Sequence, residues 1–170
     1  MRLLFEMDEK DYEPDGQVLL RPSARGIIIQ TGKIAMVRSL KYAYYKFPGG
    51  GIEAGENRIQ ALIRETAEEA GLCIVPQTIR PYGRIRRMQK GERGGVFIQD
   101  NFYYLCQAEN ASLPQRLDDY EAEERFTLEW IDPKQAIAAN RSGDHGPKDQ
   151  KMLEREARVL EALIKESYFL

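Results

Sequence analysis

The sequence predicts an α+β domain, a mixed sheet covered by helices. Three observations predict it. Short β-rich runs fill the first third of the chain, a sharply punctuated helix lies between Asn57 and Gly71, and further strands are followed by a long helix near the end. The chain has 170 residues and 31% charged side chains, which suits one folded unit over 1–170 with a substantial core.

Residues 17–21 and 25–30 read as strands. The turn Thr31-Gly32-Lys33 then joins the second of them to a strand at 34–40 in a hairpin. Lys41 to Phe47 reads as a tyrosine-rich strand, and Pro48-Gly49-Gly50-Gly51 as the loop that ends it. In the helix that follows, Asn57 is the expected N-cap with Gln60 completing a capping box, and Gly71 is the C-terminal stop. Residues 73–88 and 96–108 are expected strands around a turn at Lys90 to Gly95, and 125–131 another. Asp132-Pro133 opens a short helix to about Ala139, Asn140 to Gly146 is a polar loop, and Pro147 to Ser167 is a final helix. The length of that helix leaves intramolecular packing and a homodimer contact both open.

Composition bounds the partners. The formal net charge of −2 makes a long nucleic acid an unexpected partner but is compatible with a small nucleotide. Cys73 and Cys106 both sit in apolar stretches and read as reduced core thiols. The N-terminal residues turn acidic too early for a secretory signal, and no apolar run reaches the roughly 20 residues that span a bilayer. The expectation is a cytoplasmic protein without a membrane partner.

The chemistry concentrates between Gly50 and Leu72. At about 100° per residue, Ile59, Leu62, Ile63, Thr66, Ala67 and Ala70 share one side of the helix, and Glu65, Glu68 and Glu69 another. Like charges so close repel, and a hard divalent cation with oxygen ligands removes the conflict. Carboxylates on a helix are more often merely solvated, so the surroundings decide the reading.

Phe47-Pro48-Gly49-Gly50-Gly51-Ile52-Glu53-Ala54-Gly55-Glu56 stands upstream, and Arg64-Glu65-Thr66-Ala67-Glu68-Glu69-Ala70-Gly71-Leu72 downstream. Together these resemble the Nudix box, G-x5-E-x7-R-E-U-x-E-E-x-G-U, where U is a bulky apolar residue. Gly50, Glu56, Arg64, Glu65, Glu68, Glu69, Gly71 and Leu72 fill their positions. Thr66 departs at the first U site, where its methyl can still pack.

The resemblance to the Nudix hydrolases (MutT-like) implies an α/β/α sandwich, with the mixed sheet flanked by the box helix and a C-terminal helix. It implies Mg2+ as cofactor, with Mn2+ as the alternative, and hydrolysis of a diphosphate linkage in a nucleoside diphosphate joined to another group. Nucleoside triphosphates, dinucleoside polyphosphates and nucleotide sugars belong to that class.

Carried onto this chain, Glu65, Glu68, Glu69 and the Gly49 carbonyl become the metal ligands. Arg64 becomes the orienting residue and Glu56 a brace for the loop, while Gly50 and Gly71 are structural. A further acid is expected after the box: Glu124 first, then Glu121 and Glu123. Glu65, Glu69 and Glu124 are the candidates for general base. Glu69→Gln is expected to abolish hydrolysis with the fold intact.

Outside the box, Tyr42 and Tyr44 are candidates to stack a base, and Arg84 and Arg86 to meet phosphates or a carboxylate. Lys90 and Arg93 extend that basic run, and Phe97 and Phe102 line the cleft or the core. His145 reads as a surface loop residue. A catalytically silent nucleotide-binding module is the competing reading, disfavoured by the intact Arg64, Glu65, Glu68 and Glu69. An isoprenoid diphosphate isomerase would need a catalytic cysteine that neither Cys73 nor Cys106 suggests.

Overall fold

The computed structural model describes residues 1–92 and 94–170. A six-stranded mixed sheet runs in the order β1 (Leu3–Asp8), β9 (Arg80–Lys90), β10 (Val96–Leu105), β3 (Ser23–Ile27) and β7 (Gly49–Gly51), with β2 (Val18–Leu20) also on β10. β9 and β10 form an antiparallel hairpin in which Asp100 opposes Arg86 and Asn101 opposes Ile85. β1 lies parallel to β9, and β3 parallel to β10.

A second sheet has the order β12 (Phe126–Ile131), β5 (Lys33–Ser39) and β4 (Ile29–Gln30), with β6 (Tyr45–Lys46) on the other part of β5. β8 (Leu72–Ile74) and β11 (Ala108–Ser112) make a small two-stranded pair.

Helices cover both faces of the large sheet because its strands alternate. Phe102 and Tyr104 of β10 pack with Ala61 and Leu62 of α1 (Arg58–Ala70). Tyr103, between them in sequence, points the other way and joins Leu160 and Leu163 of α4 (Gln150–Lys165). The α/β/α sandwich is thus built from period-two side chains on one strand. Burying a residue such as Leu62 or Leu160 contributes about 2 kcal/mol, and both are fully buried. Phe47 meets Tyr103 edge to face at 5.3 Å in the same core. Two short helices complete the chain, α2 (Asp119–Glu123) and α3 (Pro133–Arg141). Among the described residues no helix is long and apolar enough to cross a membrane.

The box helix has the expected bounds. Asn57 accepts from the Ile59 and Gln60 N–H groups, Gln60 reaches back to the Asn57 N–H, and Gly71 ends the helix at φ 65°. The hairpin at Thr31-Gly32 also forms, with Ile29 opposite Ile34.

Other expected boundaries shift. The 25–30 strand splits between the two sheets as β3 and β4. The 73–88 run splits into β8, a 3-10 turn at Pro76–Thr78 and β9, and 96–108 divides into β10 and β11. The final helix starts at Gln150, with Asp149 as its cap, rather than at Pro147. β1 and α2 have no counterpart in the expected elements.

Two differences bear on the site. The tyrosine-rich segment is a strand only at Tyr45–Lys46, because a turn over Leu40, Lys41 and Tyr42 and a left-handed Ala43 (φ 56°) break it. The glycine run is itself a strand, since Gly49 opposes Arg25 and Gly50 opposes Ala24 on β3.

Candidate active site

The site is assembled where β7 runs along β3 beneath α1. Gly50 is set so close to the helix that a Cβ there would coincide with the Glu65 carboxylate. Absence of a side chain at Gly50 therefore makes the room that Glu65 occupies. Thr66, the departure from the motif, is fully buried. Its hydroxyl bonds the Leu62 carbonyl at 2.7 Å, and its methyl lies over Gly26. The polar half of Thr66 is satisfied within its own helix, so the apolar half is free to fill the U position.

Arg64 is the hub of the carboxylates. Its Nε and Nη2 donate to the two oxygens of Glu56 at 3.1 and 2.5 Å. Nη1 donates to Glu65 at 2.7 Å and to Glu68 at 3.1 Å, and Nη2 also reaches the Gly51 carbonyl at 3.1 Å. One planar guanidinium thus holds the loop acid and two helix acids. Glu56 further caps the loop by accepting from the Glu53 N–H at 2.7 Å. Arg64 holds the Glu56 carboxyl below the ordinary carboxylate range, and Glu56 in turn holds the guanidinium's proton more tightly than usual.

Glu69 is separated from this group and is 1% exposed. It accepts from the Gly49 N–H at 3.0 Å and is ion-paired with Lys46, itself buried. Its Oε1 receives no aligned hydrogen bond although the Lys46 ammonium lies beside it. Burial raises the pKa of both Glu65 and Glu69, against the opposing pull of Arg64 on Glu65 and of Lys46 on Glu69.

The Gly49 carbonyl accepts from Arg25 Nη1 at 2.5 Å. Among the described residues, no three His, Cys, Asp or Glu side chains converge as a ready cation cage. The basic groups Arg64, Lys46 and Arg25 balance the acids instead. The donor set nevertheless fits a hard divalent cation. All of it is oxygen, and it lies along one helix face beside a backbone carbonyl, with Glu69 buried.

Each of the expected acids after the box holds a partner of its own. Glu124 is buried, accepts from the Tyr44 hydroxyl at 2.7 Å and pairs with Lys148. Glu121 closes the capping box of α2 on the Asp118 N–H, and Glu123 pairs with Lys41 at the surface. The Tyr44 hydroxyl lies in the field of both Glu124 and Glu69, and the Tyr120 hydroxyl in that of both Glu121 and Glu69.

The substrate-binding expectations also change. Tyr44 is 2% exposed and belongs to the core, because the broken strand turns it inward. Tyr42 is half-buried beside Gly146, and its carbonyl meets His145 Nδ1 at 2.8 Å. His145 is therefore buried, not a surface residue. Arg84 and Arg86 converge on Asp100, Arg86 through a fork at 2.9 and 2.8 Å. Phe102 is buried while Phe97 is partly exposed, and Arg93 lies outside the described residues.

Arg25, Lys46 and Lys148 were not singled out from the sequence. A signal existed for the first two, since each is a lone cation within an otherwise apolar run, Ala24-Arg25-Gly26-Ile27 and Tyr44-Tyr45-Lys46-Phe47. A buried cation needs a partner: Arg25 finds the Gly49 carbonyl on the glycine strand, and Lys46 finds Glu69 on α1.

Comparison with known proteins bears on the fold and the family. The NUDIX domain family model matches residues 19–155. An RNA pyrophosphohydrolase of Xanthomonas axonopodis pv. citri is 27% identical over 130 residues, covering 71% of this chain and 62% of that protein. One from Stenotrophomonas maltophilia (strain K279a) is 26% identical over 130 residues, covering 71% and 61%. The chain thus spans less than two thirds of the length of these relatives.

Among solved structures, one from the analysis of MutT of Aliivibrio salmonicida and Vibrio cholerae has a TM-score of 0.56 at 20% identity, covering 87% of this chain and 99% of that one. A NUDIX hydrolase from Nitrosomonas europaea has a TM-score of 0.53 at 20% identity, covering 80% and 87%. Those likenesses establish the fold. With the box filled at every specified position but that of Thr66, the sandwich formed and the match extending over residues 19–155, the chain belongs to the NUDIX domain family.

Proposed function

We propose that this chain is a single-domain hydrolase that cleaves a diphosphate linkage in a small nucleotide-type substrate, with Mg2+ held by Glu65, Glu68, Glu69 and the Gly49 carbonyl. The observation that carries the reading is the Arg64 hub, which fixes Glu56, Glu65 and Glu68 together against the glycine strand. A structural helix has no need to gather three acids around one guanidinium beside a conformationally demanding backbone.

When bound, the cation supplies charge neutralisation at the phosphates and acidifies a coordinated water. The chain's own residues do the rest. Arg64 orients the Glu65 and Glu68 carboxylates, and Gly50 leaves the space that the Glu65 carboxylate fills. Burial makes Glu65 and Glu69 better proton acceptors than exposed carboxylates, so either can take the proton of an attacking water at an Oε atom. Lys46 and Arg25 are the cations that must give way before Glu69 and the Gly49 carbonyl can hold a metal. Glu124 joins this scheme only if the Tyr44 and Lys148 contacts release it.

The test is a panel of nucleoside triphosphates, dinucleoside polyphosphates and nucleotide sugars incubated with the purified protein and Mg2+. The relatives named RNA pyrophosphohydrolases add a diphosphate-bearing RNA to it. Release of phosphate, pyrophosphate or mononucleotide that is lost on adding chelator is the expected result. No release from any member would leave the silent binding module as the better reading.

A further inference from the structure

A cleft of about 780 Å³ opens between the first turn of α1, β2 and β10, and its lining includes none of Glu65, Glu68 and Glu69. That volume falls in the range of small-molecule sites, roughly 300–1,000 Å³. Leu20, Ile52, Ile59, Ile98 and Phe102 make its walls apolar.

Its polar groups are unequal. The two carboxylates at the cleft are already engaged, Glu56 by the fork of Arg64 and Asp100 by Arg84 and Arg86. Arg58 forms no ion pair among the described residues. Its guanidinium lies flat enough on Phe102 to bring the central carbon 3.6 Å from the ring centroid. One cation therefore lines the cleft over an apolar wall without a counter-charge, its guanidinium also beside the Tyr104 hydroxyl.

Two amides flank it. Asn57 uses its side-chain oxygen on the Ile59 and Gln60 N–H groups, and Gln60 uses its own on the Asn57 N–H. The capping box thus closes the helix end itself. What Asn57 and Gln60 have left to offer a ligand is their NH2 donors.

We propose that this cleft binds a flat heteroaromatic ring with acceptor atoms on its edge and an attached anionic group, the chemistry of a mononucleotide. The ring stacks on the outer face of Arg58, continuing the Phe102–Arg58 pile between Ile59 and Ile98. The NH2 groups of Asn57 and Gln60 meet the acceptor edge, and the anion pairs with the guanidinium. The proposal does not rest on the hydrolase reading, because the carboxylates of that reading take no part in it.

The experiment is a titration of the isotopically labelled full chain with AMP, in the absence of divalent cations, followed by amide chemical shifts. Saturable shifts at Arg58, Ile59 and Phe102 are expected. Arg58→Gln, an exposed position, should weaken binding roughly tenfold or more. Ile98→Trp, which fills the cleft, should abolish it, while Glu68→Gln should leave it unchanged. Absence of shifts at these amides at millimolar AMP overturns the proposal, as does undiminished binding by a folded Arg58→Gln protein. If Ile98→Trp does not fold, Arg58→Gln decides alone. An active diphosphatase without these shifts would sink only this site, and an inactive protein that shows them would sink only the hydrolase.

Discussion

Arg64 grips Glu56 with both arms, Nε on Oε2 at 3.1 Å and Nη2 on Oε1 at 2.5 Å, and so ties the loop before the box helix to the helix itself. The remaining nitrogen, Nη1, positions Glu65 and Glu68. The fork therefore fixes the loop and the acids relative to one another, a task the resemblance assigned to this pair.

Arg64→Lys keeps the charge but not the planar fork. We expect a 10- to 100-fold loss of Mg2+ affinity or diphosphatase activity, roughly the effect of losing an orienting partner of a ligand. Stability should fall by about 1–2 kcal/mol. Mg2+ titration and chemical denaturation check the two parts separately, and unchanged values in both would remove Arg64 from the positioning role.

Glu69→Gln should end diphosphate hydrolysis, but the buried pair revises the expectation of an intact fold. Neutralising Glu69 leaves the buried Lys46 ammonium without its counter-charge. Breaking such a pair from one side costs about 3–5 kcal/mol. A lowered melting temperature is expected, restored at least in part by Lys46→Met in the same chain with activity still absent. Calorimetry of the single and double variants measures this, and an unshifted melting temperature for Glu69→Gln would count against the pair.

Tyr44→Phe separates a core role from a substrate role. The buried Tyr44 hydroxyl donates to Glu124 at 2.7 Å, and burial, foremost, raises its pKa far above the ordinary phenol. Its removal should cost about 1–3 kcal/mol through the carboxylate it leaves under-bonded, with KM for the substrate unchanged. A raised KM at unaltered stability would reinstate Tyr44 as a base-stacking residue.

Acid titration should expose the Asp100 cluster. Hydrogen bonds from Arg86, foremost, lower the Asp100 pKa from the ordinary 3.8. A carboxyl lowered in the folded state contributes stability that is present above 3.8 and is lost as pH falls through that lower folded value. Melting temperature should therefore drop below pH 4, and Asp100→Asn should flatten that part of the profile. An identical acid limb in the variant would show that Asp100 contributes nothing to it.

The sequence by itself determined the box helix, its Asn57–Gln60 cap, its Gly71 stop and the box that identifies the family. Each of those signals is contained within a few residues, in the reach of a cap or the period of one helix turn. Only the tertiary structure decided that Lys46 and Arg25 answer Glu69 and Gly49, that Glu124 turns to Tyr44 and Lys148, and that the glycine run is a strand on β3. Those partners lie some 20 to 80 residues apart along the chain. A charge buried among apolar neighbours announces that it needs a partner, and the packing of sheet against helix chooses which one.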